Sequence, residues 1–225
     1  MEIPKEWKEQ LPGMDLTIPM LLKFSLPRQG ARNLQEPLPI SALFSKETPD
    51  EHKKISNEIP PSSYIQNLRR TVEDAKALGY HSIKGGFPGT TKGSTYPLWM
   101  IHYWGHLSNA ISSKGMWAHS IAWLSNCSYP PLVDEYINHL PWMKPPLSRL
   151  MFLMEDLSIL LSDEWLNDSH IDFFATYFNQ ATTGTSPPIL ITPLSFSHSI
   201  KSLEQPQVSV YTAQVLKCFR VFPIY

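Results

Sequence analysis

Apolar residues recur at helical spacing in four stretches of the chain, and the region before the first of them lacks that order. Residues 1 to about 62 hold seven prolines within the first fifty positions. Each removes a backbone donor and biases its predecessor away from helix. This region reads as a loosely ordered, proline-rich arm. Its apolar segment Leu16 to Leu26, broken by Pro19, is expected to dock as a short strand, and the charged stretch Lys46 to Glu58 before Pro60-Pro61 reads as a linker. From Ser62 the period becomes helical: Ser62 or Ser63 can cap, Ile65, Leu68, Val72 and Ala75 share a face, and Gly79 stands where the helix should stop.

Residues 96 to 126 are the most apolar helical stretch. Trp99, Tyr103, His106 and Ala110 form one row, with Met100, Trp104, Leu107 and Ile111 beside it. Ser112 to Gly115 interrupts the pattern before Met116 to Leu124 resumes it, which predicts a helical hairpin whose aromatics fill a core. Prolines 130, 131, 141, 145 and 146 bound a short amphipathic segment, Leu132 to Leu140, and mark a domain boundary near 145. Beyond it lie a short apolar run, Asp156 to Leu161, and then the polar Ser162-Asp163-Glu164, which suits a helix N-terminus. A second helix is expected from Asn167 or Asp168, with Ile171, Phe174, Ala175 and Phe178 on its apolar face. Ile189 to Thr192 and Cys218 to Tyr225 read as strands, with a polar amphipathic stretch from Ser195 to Thr212 between them. The expected class is α+β, mainly helical, with an arm at 1–62, a helical region at 63–145 and a smaller domain at 146–225.

Composition narrows the function. The chain has 225 residues, 42% hydrophobic but only 17% charged, and 21 prolines, against norms of about 25% charged and ~5% proline. A net charge of −1 gives no surplus of basic residues for phosphate backbones, so no nucleic-acid partner is expected. No apolar run approaches the ~18 residues that a membrane span needs, so no membrane partner is expected either. The polar start MEIPKEWKEQ is unlike a signal or transit peptide. Cys127 and Cys218 are too few for a disulfide framework or a four-ligand zinc site.

Two motifs tempt and fail. KGGFPGTTKGST, at 84–95, misplaces both the second glycine and the hydroxyl of a phosphate-binding loop: Lys92 follows Thr91 and precedes Gly93. His102 and His106 have helical zinc spacing, yet Tyr103 stands where the catalytic motif needs Glu, and only His119 lies near as a third ligand. No metal and no cofactor is expected.

The segment Glu155 to Gln180 carries the most information. Leu161-Ser-Asp-Glu-Trp165-Leu-Asn-Asp168, followed by Ile171 and the aromatic pair Phe173-Phe174, resembles the opening signature of the ubiquitin-like-protein-specific (SUMO-type) cysteine proteases and their adenain-like relatives. In that family a trigger strand precedes Trp-Leu-Asn-Asp, a helix follows it, and a later strand ends in a Phe-x-Pro-like turn, similar to Val221-Phe222-Pro223-Ile224. The resemblance covers residues 155 to 225. Upstream, Tyr96-Pro-Leu-Trp99, Tyr103-Trp104, Trp117 and Trp123-Leu124 look like the helical region preceding such domains in transposon-associated proteins of mushroom-forming fungi.

The resemblance implies the N-terminal part of a papain-like, adenain-like protease domain and a cysteine-type peptidase acting on ubiquitin-like conjugates. Trp165 would form one wall of the channel that clamps the partner's Gly-Gly tail, and Asp168 would pair with a basic residue of that partner. The family's His, Asp, Gln and Cys follow the strand that Val221 to Ile224 resembles, so no position before Tyr225 matches them, and this stretch is expected to be inactive by itself. Cys218 lies before that strand, and neither His170 nor His198 is tied to it by motif, so no substitute triad is expected. The alternative is a non-catalytic helical interaction module using residues 96 to 143. Location is expected to be nuclear or cytoplasmic, although Lys53-Lys54 and Arg69-Arg70 are too short for a nuclear-import cluster.

Overall fold

The computed structural model describes residues 2–30, 38–50, 57–87, 89–127, 131–143, 154–164, 168–181, 189–190 and 220–221. They form an α+β fold that is mainly helical. Contacts divide the chain into one unit of 1–118 with 130–142 and a second of 119–129 with 143–225.

In the first unit the proline-rich start builds structure instead of an extended arm. Helices α1 (Lys5–Lys8), α2 (Ile18–Lys23) and α3 (Ile40–Leu43) each open on or beside a proline: Pro4 and Pro39 occupy N-cap positions, and Pro19 sits in the first turn of α2. Proline is favoured there because the first-turn N–H groups have no partner within the helix. The segment expected to be a docking strand is therefore helix α2, whose Ile18 and Leu21 are fully buried. Between the helices lie β1 (Arg28–Gln29), β2 (Phe44–Ser45) and β3 (Glu58–Ile59). β1 pairs in parallel with β3, and β2 pairs antiparallel with β4 (Ser82–Lys84), which continues to β5 (Thr95–Pro97). Such short strands carry no period-two signal, so these pairings are set by distant partners.

Helix α4 (Ser62–Ala77) follows the expected face, with Ile65, Leu68, Val72 and Ala75 buried and Gly79 left-handed at φ +77° beyond its end. Its N-cap is Pro61, so Ser62 and Ser63 lie inside the first turn. The expected hairpin over 96–126 is instead one helix, α5 (Met100–Leu124). Ser and Gly weaken a helix by less than about 1 kcal/mol each, and Ala110 and Trp117, buried on either side of the polar stretch, hold the helix through it. Lys114 also donates to the Phe24 carbonyl at 2.7 Å. A Cβ at Gly115 would meet nothing within 4 Å, so Gly115→Ala is expected to stabilise the chain by about 0.5–1 kcal/mol, read from the urea midpoint.

The core of this unit joins Leu43, Phe44, Ile59, the buried face of α4, Ile83, Tyr96 and the α5 residues Met100, Ile101, Tyr103, Trp104 and Leu107. The aromatic stripe of α5 is thus interior. Helix α6 (Leu132–His139), as its amphipathic pattern predicts, packs on α2. Trp142 just beyond it is 2% exposed and donates to the Gly13 carbonyl at 2.8 Å. His106 contacts the edge of Trp142 and lies 3.0 Å from the Pro12 carbonyl, which gives this histidine a structural partner.

The second unit contains α7 (Met154–Leu160), α8 (Asp168–Ala181) and a two-residue parallel pairing of β6 (Ile189–Leu190) with β7 (Arg220–Val221). The terminal run, expected to be a strand, is one over those two residues and pairs there with β6. Its remaining positions, including the Phe222-Pro223-Ile224 turn, lie outside the described residues, as does 195–212.

Candidate substrate-recognition segment

Helix α8 starts at Asp168, one of the two expected starting positions. A carboxylate-bearing residue in this first turn complements the helix dipole. Trp165 lies outside the described residues, so the structure places only the backbone of one of the two expected recognition positions, Asp168. On the expected apolar face, Ala175 is buried at 1% exposure, whereas Ile171 and Phe174 are half-buried. Phe173 meets Phe174 edge to face at 5.5 Å.

The run before the signature is helix α7, not the trigger strand that the family resemblance implies. Met154, Asp156 and Ser158 are its buried positions. Ser162-Asp163-Glu164 is likewise not a helix start. Ser162 Oγ donates to the Ile159 carbonyl at 2.8 Å and accepts from the Glu164 N–H at 3.2 Å, so this polar triplet closes α7.

Polar contacts that the pattern did not foretell tie this region together. His170, fully buried on α8, lies with Nε2 2.7 Å from the Asp156 carbonyl of α7. Ser120, 1% exposed, donates to the Ser158 carbonyl at 2.7 Å, and His119 Nε2 lies 2.7 Å from Asp163 Oδ1. Satisfying buried carbonyls beyond a helix's own ladder is a structural requirement, and it accounts for His170 without a catalytic role. The available signal was a polar residue on an otherwise apolar face, seen at both Ser120 and His170. His119 and Asp163 are both largely exposed, so their pair adds only about 0–1 kcal/mol. Cys127 is a free, half-buried thiol, while Cys218 and His198 lie outside the described residues.

The histidines that suggested zinc are dispersed: His106 faces Pro12 and Trp142, His119 faces Asp163, and His102 is exposed. Burial of part of the His102 ring, with help from the N-terminal amine and Arg69, holds its pKa below 6.5. Among the described residues no three metal-ligating side chains converge, and no helix is long and apolar enough to cross a membrane. Comparison with family models, with curated proteins and with solved structures finds no match to this chain.

Proposed function

We propose that the segment from Glu155 onward is the substrate-recognition part of a papain-like, adenain-like protease domain of the ubiquitin-like-protein-specific class, related to those of fungal transposon-associated proteins. The observation that carries the reading is the start of α8 at Asp168, directly after Trp165-Leu-Asn. In this reading the Trp165 indole walls a channel for the partner's Gly-Gly tail, since glycines offer only backbone to pack against. Asp168 receives a basic side chain of the partner through a charge-assisted hydrogen bond. The family activity is a cysteine-type peptidase reaction on SUMO-type conjugates: thiolate attack on the carbonyl after Gly-Gly, with a His as base, an Asp to orient it and a Gln at the oxyanion. The contribution of the present residues to that reaction is recognition.

Titrating the full chain with a SUMO-type protein ending in Gly-Gly tests the reading. Saturable binding is expected, and Asp168→Asn is expected to weaken it roughly tenfold at low salt, with a smaller difference at high salt. Absence of binding across a panel of ubiquitin-like proteins contradicts it.

A further inference from the structure

A cavity of about 920 Å³ opens in the first unit, within the range of small-molecule sites. Its floor is α5, through the buried side chains of Tyr103 and Leu107. Leu26 and Pro27 form an apolar wall leading into β1, and the exposed rim includes Arg28 and Glu58. The wall is fixed in place: the Arg28 N–H donates to the Asn57 carbonyl at 2.9 Å, and Gln29 Nε2 donates to Ser108 Oγ of α5 at 2.7 Å.

Of the side-chain donors that line this space without a partner among the described residues, Ser25 and Asn57 lie on the exposed rim, and two more can grip an anion. One is the Arg28 guanidinium. The other is the hydroxyl of Tyr103, a residue only 3% exposed that nevertheless lines the cavity. The Tyr103 ring is buried, but its hydroxyl reaches the open cavity, where it can donate to a ligand acceptor. Edge-to-face contacts with Trp7 at 5.4 Å and Trp99 at 6.4 Å hold the Tyr103 ring in one orientation. Burial pushes its phenol pKa up, so it stays a donor at neutral pH.

We propose that this cavity binds a small monocarboxylate with an apolar body. The carboxylate takes a forked contact from Arg28 and a hydrogen bond from Tyr103, and the body lies against Leu26, Pro27 and Leu107. Glu58, opposite Arg28 in the β1–β3 register and itself partnered, adds negative charge to the rim. It therefore disfavours a dianion such as a phosphate monoester. This site is separate from the ubiquitin-like reading and does not depend on it.

The test titrates the full chain with benzoate, its neutral isostere benzamide, and phenyl phosphate, following indole fluorescence and calorimetric heat. Benzoate is expected to bind saturably, with benzamide and phenyl phosphate each roughly tenfold weaker. Arg28→Gln should abolish the preference for benzoate over benzamide. Tyr103→Phe should weaken benzoate about fivefold with no loss of thermal stability, because the ring keeps its packing against Trp7 and Trp99. No saturable benzoate binding, equal binding of benzamide, tighter binding of phenyl phosphate, or undiminished affinity in Arg28→Gln would overturn the proposal.

Discussion

Trp104→Ala is expected to destabilise the chain by about 3–5 kcal/mol, a large part of the ~5–15 kcal/mol that holds a typical domain together. Trp104 is 1% exposed in the second turn of α5 and lies 5.6 Å from the Tyr96 ring, so it joins the helix to the β2–β4–β5 sheet. Truncation removes the largest fully buried side chain of that core and leaves a void that the flanking Ile101 and Leu107 cannot fill from their own turns. Trp104→Phe keeps much of the ring and should lose less than half as much. Urea unfolding of the two variants checks both the magnitude and the order. Equal midpoints for Trp104→Ala and the unsubstituted chain would mean that α5 does not carry the core.

Gly89→Ala is the second large effect, and its cause is the backbone. Gly89 has φ +79°, and a Cβ there would sit 2.5 Å from the Ile59 carbonyl carbon and 2.9 Å from the Glu58 oxygen. Neither is a side-chain tip that can swing aside. The left-handed conformation alone costs roughly 1–2 kcal/mol for a residue with a Cβ. The clash must in addition push the 85–94 turn off β3, so a loss above about 2 kcal/mol is expected. Gly93→Ala is the control: its φ is +76°, but a Cβ would meet nothing within 4 Å. It should lose only the conformational part, about 1–2 kcal/mol. A Gly89→Ala loss no greater than that of Gly93→Ala would remove the turn from the first unit's packing. The internal bonds of this turn, with Thr90 Oγ1 accepting from Gly86 and Phe87 N–H at 3.0 and 2.9 Å, also show why a phosphate-loop reading fails: the amides are already used.

Local periodicity made α4, α6 and the start of α8 legible, because each puts its apolar residues at steps of three and four. It misled where a rule of composition was applied without position. Prolines in the first fifty residues suggested an arm, yet Pro4, Pro19 and Pro39 stand at helix starts, where their missing N–H is harmless. Ser112 to Gly115 suggested a break, yet buried Ala110 and Trp117 carry α5 through it. Pairings such as Arg28 with Glu58 and Phe44 with Ile83 were not legible, because strands of two or three residues leave no pattern. Of the candidate recognition segment, the helix start at Asp168 could be read in advance. The carbonyl contacts of Ser120 and His170 depend on chain brought together only by folding.

The ubiquitin-like reading meets its most direct test at Trp165. The affinity of the full chain for a SUMO-type protein is measured with its Gly-Gly tail intact and with the two glycines deleted, for the unsubstituted chain and for Trp165→Ala. Tail deletion and Trp165→Ala should each weaken binding by at least about tenfold, or ~1.4 kcal/mol, and combining them should add little further, because both remove the same contact. Affinity that is indifferent to the tail, or losses that simply add, would contradict a channel walled by this tryptophan.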